Sequence, residues 1–205
     1  MLLKVNPNRM ELIRLKKRLL VAKRGYKLLK DKRDALIQVF VRLAKESNML
    51  REELEEKLLK CYAIFSNTSS LMSKLALEET LMLTNAKGRA EVSFKNVMSV
   101  NVPQYKLKCE GRYYSYGLVD TTAELDSALK KYHEILPLML RVAELDKSIT
   151  LLANEIEKTR RRVNALEYVI IPDLEETIKF ITMKLDEMAR SSTSAIMRIK
   201  EIIRA

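Results

Sequence analysis

Few residues in this chain are equipped for chemistry, and they are scattered. Histidine occurs once, at His133, and the sequence supplies no partner constellation that would make an acid or base of it. The four glycines, Gly25, Gly88, Gly111 and Gly117, are too dispersed to form a loop that cradles phosphate. Cys61 and Cys109 lack the CxxC spacing of a zinc or redox motif and read as two free thiols of a reducing, cytoplasmic setting. The run EELEE at 52–56 offers neighbouring carboxylates, but on a coiled coil such a run forms a solvated, helix-favouring face. The expectation is a chain with no catalytic residue, no metal ligand and no bound cofactor.

One stretch does stand out chemically. RLKKRLLVAKRGYKLLKDKR, from Arg14 to Arg33, has ten Lys or Arg in twenty positions and one acid, Asp31. Residues 1–33 hold twelve bases and two acids, whereas the net charge of all 205 residues is +11. The basicity is therefore local, and everything after Arg33 is close to neutral. A surface of this kind suits phosphates, an anionic membrane or an acidic protein.

The elements that carry these residues decide among those uses. From Leu12 the apolar positions fall into heptads: Leu12, Leu19, Tyr26, Arg33, Phe40, Ser47 and Leu54 form one series, Leu15, Ala22, Leu29, Leu36, Leu43 and Leu50 the other. That is a coiled-coil seam. Asn6 as N-cap with Pro7 at the first helical position starts the helix near residue 7, and SNTSS after Phe65 supplies a break. Such a helix would be roughly 85 Å long, beyond what a compact domain of this size contains. A second seam has Leu138, Leu145, Leu152, Thr159 and Leu166 alternating with Val142, Ile149, Ile156, Val163 and Ile170. Past Pro172 it resumes one position out of step, as Leu174, Ile181, Met188, Ala195 and Ile202 with Ile178, Leu185, Ser192 and Ile199. The offset amounts to a stutter that unwinds a left-handed supercoil locally, and it falls at a proline that already removes a helix hydrogen bond.

Between the seams, residues 66–88 hold a weaker helical pattern of Leu71, Leu75, Leu77, Leu81 and Leu83, closed by the turn signal NAKG. The alternation of Val92, Phe94, Met98, Val100, Val102, Tyr105 and Leu107 then predicts two or three short strands with turns at Pro103 or Gly111. Asp120, Thr121 or Thr122 caps the return to helix, with Glu124 as capping-box partner. The fold class is mainly α: a long antiparallel two-helix coiled coil of the terminal helices, with a small middle region containing a short β-hairpin. Its expected parts are a first helix at 7–65, a middle region at 66–119 and a second helix at 120–205. No window reaches eighteen consecutive apolar residues, so no span is expected, and MLLKVNPNRM lacks the apolar centre of a signal peptide.

Charge and seam coincide in the basic stretch. Leu15, Leu19, Ala22, Tyr26 and Leu29 keep the seam intact beneath the charges, whereas a bZIP arm leaves its dimer seam before its charges begin. No stacking aromatics are interleaved apart from Tyr26, and the apolar stripe a membrane helix would need is committed to the partner helix. A solvated basic face, an acidic protein partner and nucleic acid all stay open on periodicity alone. Arg160, Arg161 and Arg162 are expected to meet Glu52, Glu53, Glu55 and Glu56 across the seam.

Two segments carry a resemblance: NPNRMELIRLKKRLLVAKRGYKLLKDKRDALI near the N-terminus and TRRRVNALEYVIIPDLEETIKFI at 159–181 closely resemble the D subunit of V-type and archaeal A-type ATPases. The match covers both terminal helices in order, with a β-containing region between them; the long tail that some members carry after the second helix is missing. The resemblance implies the central rotor stalk of a rotary ATPase, similar in role to the gamma subunit of F-type enzymes and not itself catalytic. It implies as partners the catalytic A/B hexamer, the F subunit and the funnel-shaped subunit that connects to the membrane rotor ring. It also implies no nucleic acid, no direct membrane insertion, and a peripheral place on the cytoplasmic side of a membrane. Residues 12–33 are expected beside roughly 180–205, inside or at the mouth of the hexamer bore, and Arg14, Lys17, Arg18, Lys23, Arg24, Lys27 and Lys30 are expected to include contacts to acidic loops of the hexamer. A basic coiled-coil adaptor for nucleic acid or an acidic protein is the alternative.

Overall fold

The computed structural model describes residues 5–82, 85–112, 114–117 and 121–204. Helix α1 spans Arg9–Leu71. Its cap is Asn8 rather than the expected Asn6: the Met10 amide donates to Asn8 Oδ1 at 3.5 Å and the Leu12 amide to the Asn8 carbonyl at 3.0 Å. SNTSS does not break the helix. Thr68 and Ser70 donate their hydroxyls to the Ile64 and Ser66 carbonyls one turn back, at 3.0 and 2.9 Å, so these side chains join the helical ladder instead of competing with it. The break comes at Ser73, whose Oγ accepts from the Ala76 amide at 3.2 Å and starts helix α2, Lys74–Met82. Leu83, which the leucine pattern included, lies outside the described residues.

Two strands of eleven residues come next, β1 (Lys87–Val97) and β2 (Val100–Glu110), paired antiparallel with Val97 opposite Val100. The turn is Met98–Ser99, at φ 52° and 71°, rather than either Pro103 or Gly111. A two-residue loop with both φ positive matches the twist of its strands but ordinarily uses Asn or Gly. Here Asn96 compensates: its Oδ1 accepts from the Ser99 amide at 3.0 Å and its Nδ2 donates to Asn101 at 3.1 Å. Pro103 sits inside β2 opposite Phe94, a pair that does not exchange ladder bonds, so its missing N–H costs the hairpin nothing. Gly111, at φ 94°, does need to be glycine, since a Cβ there would lie 2.4 Å from the Asn85 carbonyl oxygen.

Helix α3 spans Ala123–Ala165, a π turn occupies Leu166–Ile170, and helix α4 spans Ile171–Arg204. The expected capping box of α3 does not form among the described residues: Leu125 donates to the Thr122 carbonyl at 3.0 Å, Thr121 Oγ1 bonds the Gly117 carbonyl, and Thr122 Oγ1 is buried without a partner. Asp120, the third candidate, lies outside the described residues.

The chain divides into two compact units. In the unit of residues 36–155, α1 and α3 run antiparallel. Ser47 and Arg51 bond Asp146, Arg141 bonds Glu46, and Cys61 meets the Ala128 carbonyl, so the partner moves back from the 141–146 turns to 128 as α1 advances from 46–51 to 61. Its buried residues include Leu36, Cys61, Leu125, Ala128, Ile135, Val142, Leu145 and Leu152, with Val100 and Val102 of β2. Phe65 and Tyr132 meet edge to face, 6.2 Å between centroids.

In the other unit, residues 1–35 and 156–205, the core is Leu15, Leu174 and Ile181, with Val5, Leu12, Leu19, Ala22, Ile178 and Leu185 packed against it. The one-residue seam offset in the sequence is absorbed by the π turn: the Ile171 amide bonds the Leu166 carbonyl, five residues back. A π turn accommodates one extra residue, and Pro172 comes directly after it, where the ladder lacks a donor in any case. Only the start of 12–33 meets the expected 180–205, where Leu12, Leu15 and Leu19 share a cluster with Ile181 and Leu185; the later turns face earlier residues. Lys23 pairs with Glu175, and Leu15 packs with Leu174 and Ile181. Heptads repeat every seven residues and cannot fix which turn faces which.

Candidate functional site

All seven basic residues singled out on α1 are exposed, but the helix does not gather them on one face. At 100° per residue, Lys17 and Arg24 lie on the side opposite the buried Leu15 and its neighbours. Arg14 and Arg18 lie on one flank and Lys27 on the other. Lys23 and Lys30 lie beside the seam, where Lys23 reaches Glu175 at 2.6 Å and Lys30 stands 5.9 Å over the Tyr26 ring. Arg14 pairs with Glu11 at 3.3 Å, and among the described residues Lys17, Arg18, Arg24 and Lys27 have no carboxylate partner.

Between the bases runs an apolar stripe that the heptads do not account for. Met10, Val21 and Leu28 are 73, 67 and 70% exposed, and they share the outward face with Lys17 and Arg24 at a spacing of three and four residues. Ile13 and Leu20 widen it on one side. Five large apolar side chains are thus left in solvent on a helix whose inner face is already packed. The signal was present in the sequence as a second 3.6-residue period, masked by the stronger seam.

α4 carries a second such surface. Seam positions Leu174, Ile178, Ile181 and Leu185 are covered, but every described residue from 186 to 204 is exposed, including Met188, Ile196, Met197, Ile199, Ile202 and Ile203. The expected seam series through Ile202 is thus present but unpaired. The cause is length: α1 begins at Arg9, and Val5 joins the same cluster as Leu185, so no described helix remains to cover the turns beyond Leu185. At the π turn, Tyr168, Val169 and Ile170 are also exposed, with Ile170 pushed off the seam.

The other polar groups are internal fittings. The expected pairing of Arg160–Arg162 with Glu52–Glu56 does not form among the described residues. Arg161 pairs with Glu157, Glu53 with Lys57 and Glu56 with Lys60, each within its own helix. The Lys60 hydrogen bond and charge hold the Glu56 carboxyl below its usual range. Burial pushes the Cys61 thiol and the Tyr132 phenol up. Tyr116 is raised well above the ordinary phenol range, first by burial and then by its hydrogen bond to Asp126. Among the described residues no three His, Cys, Asp or Glu side chains gather closely enough to hold a metal ion. None of the described helices is long and apolar enough to cross a membrane.

Comparison with known proteins covers nearly the whole chain. The family of ATP synthase D subunits matches residues 11–201. The V-type ATP synthase D subunit of Thermoanaerobacter sp. (strain X514) is 52% identical over 201 residues, which are 97% of this chain and 96% of the relative. Those of Clostridium novyi (strain NT) and Fusobacterium nucleatum subsp. nucleatum are 50 and 49% identical, each over 98% of this chain and 95 and 97% of the relative.

Proposed function

The chain belongs to the family of ATP synthase D subunits, the central-stalk component of V/A-type ATPases, and from that premise we propose how its parts carry torque. The stalk performs no catalysis. It transmits rotation between the membrane rotor ring and a catalytic hexamer of A and B subunits, during ATP-driven ion transport or ion-driven ATP synthesis. The observation that supports this most is the double use of α1: one face is packed into the seam from Leu12 to Leu54, while the other exposes bases interleaved with Met10, Val21 and Leu28. A mixed apolar and basic face suits a protein bearing with acidic loops better than a phosphate backbone, which needs charge alone. The match across residues 11–201 gives the nucleic-acid adaptor no support.

The hexamer contacts are Arg14, Lys17, Arg18, Lys23, Arg24, Lys27 and Lys30, with Arg14, Lys17 and Arg24 foremost because they flank the exposed stripe. The bare apolar seam after Leu185 enters the same bore. The working parts are residues 7–65, which hold most of α1, a middle region at 66–119 with the hairpin, and residues 120–205, which hold α3 and α4. The middle region, hairpin included, meets the F subunit or the hexamer base, and the same end sits on the funnel-shaped subunit that leads to the rotor ring. The stalk is peripheral, on the cytoplasmic side of the membrane.

Charge reversal tests the bearing. Arg14→Glu, Lys17→Glu and Arg24→Glu together, reconstituted with the A/B hexamer, should lower assembly or ATPase rate by about tenfold or more, the loss of roughly 1.4 kcal/mol or more at the contact. Unchanged assembly and rate would remove these residues from the interface.

A further inference from the structure

We propose that Glu144 and Arg141 form a clamp that fixes the β-hairpin to the paired helices, with Glu144 as the positioning residue. The pairing register sets the geometry. A two-residue loop between Val97 and Val100 makes the ladder bonds at Val97–Val100, Lys95–Val102 and Ser93–Gln104. The alternate pairs, Phe94–Pro103 and Val92–Tyr105, then direct their backbone groups away from the ladder, toward the two free edges of the ribbon. On the β2 edge Pro103 has no N–H to offer. The next outward donor is the Tyr105 amide, and it donates to Glu144 Oε2 at 3.0 Å.

Glu144 is an expensive group to use this way. Its residue is 8% exposed, and a carboxylate buried to that degree is tolerated only when its oxygens are bonded. Its other oxygen, Oε1, accepts from Arg141 Nη1 at 2.6 Å, while Arg141 Nη2 donates to Glu46 Oε1 at 3.1 Å. One guanidinium therefore joins a carboxylate of α1 to a carboxylate of α3, and the second of these carries the strand. A pair serving only the two helices would not turn an oxygen toward a strand edge. Together with the burial of Val100, Val102 and Pro103, this makes β2 the fixed side of the hairpin. β1 is the free side, exposed at every residue from Lys87 to Asn96. Force applied to the hairpin passes into both helices through Glu144 and Arg141. Its use in the assembly rests on the reading of the hairpin as a contact with a neighbouring subunit; the clamp itself does not.

Hydrogen exchange on the full chain tests it. Glu144→Ala should speed exchange at the Tyr105 amide and through β2 by about tenfold or more, with α1 and α3 protection unchanged. Glu144→Gln keeps an acceptor for Tyr105 and should restore most of the protection. Tyr105→Pro removes the donor at a position that tolerates proline as Pro103 does, so it should loosen β2 alike and make Glu144→Ala silent in its background. Tyr105 exchange within about twofold of the parent in Glu144→Ala, or protection lost equally along both helices, would overturn the clamp. In the reconstituted complex, a loosened hairpin with unaltered ATPase rate keeps the clamp and removes the hairpin from the subunit contact.

Discussion

The two compact units use the same device, a pair of antiparallel helical segments with a heptad seam, and finish it differently. In residues 36–155 the seam is crossed by directional polar bonds: Ser47 and Arg51 to Asp146, Arg141 to Glu46, with Ser47 only 3% exposed. In residues 1–35 and 156–205 a cluster of Leu15, Leu174 and Ile181 packs the seam, Lys23 and Glu175 form an exposed ion pair across it, and the seam ends in open apolar side chains. Polar bonds fix one register because they work at one alignment only, whereas apolar packing at heptad spacing tolerates a shift of a full repeat. The first unit thus carries cross-seam polar bonds that fix its register, whereas the α4 seam of the second runs on uncovered past Leu185.

Substitutions can break that comparison. The largest difference is expected between Leu152→Ala and Ile202→Ala. Leu152 is 0% exposed and its truncation should cost about 2–5 kcal/mol in urea unfolding. Ile202 is 76% exposed, and its truncation should stay within about 0.5 kcal/mol in the free chain. An equal loss at both would mean that the α4 surface is covered after all. Next comes Asp146→Ala, which strands the buried Ser47 hydroxyl and frees Arg51. About 1–2 kcal/mol is expected there, against less than about 1 kcal/mol for Glu175→Ala, which opens only an exposed pair.

The smallest effect is alkaline. Cys61, Tyr116 and Tyr132 are raised from ordinary values of 9.0 and 10.0, and all three belong to the 36–155 unit. The folded state holds protons that the unfolded chain would release. Their contribution is intact below the unfolded thiol and phenol values and is lost as pH rises above them. Unfolding midpoints measured from about pH 8 to about pH 11 should fall, and exchange protection should weaken in this unit before the other. A midpoint that rises with pH has the wrong sign for this account.

Much of the framework was legible from residue pattern alone. The seam of α1 lies on buried or half-buried positions throughout, as its heptads require, because burial of one stripe is what makes a lone helix of that length worth forming. The offset at Pro172 was legible as one extra residue, but not its form, since supercoil unwinding and a π turn absorb the same excess. The hairpin was legible from its alternation, while its turn was hidden because Met98–Ser99 lacks Gly and relies on Asn96 across the loop. Helix alignment was not legible at either Arg160–Arg162 or residues 12–33, where period without an absolute anchor leaves the register free. Glu144 was hidden entirely: nothing in AELDK distinguishes a buried carboxylate from the solvated ones beside it. For the seven bases, exposure was legible and grouping was not, because a count of charge carries no angle.

The central claim is that this chain is the stalk turning inside an A/B hexamer, and its most direct test is co-purification. The chain, mixed with the hexamer and passed over a sizing column at physiological salt, should elute with it at one stalk per hexamer, and should show no salt-sensitive retention on immobilised duplex DNA. Elution apart from the hexamer, together with DNA retention that falls as salt rises, would contradict the account.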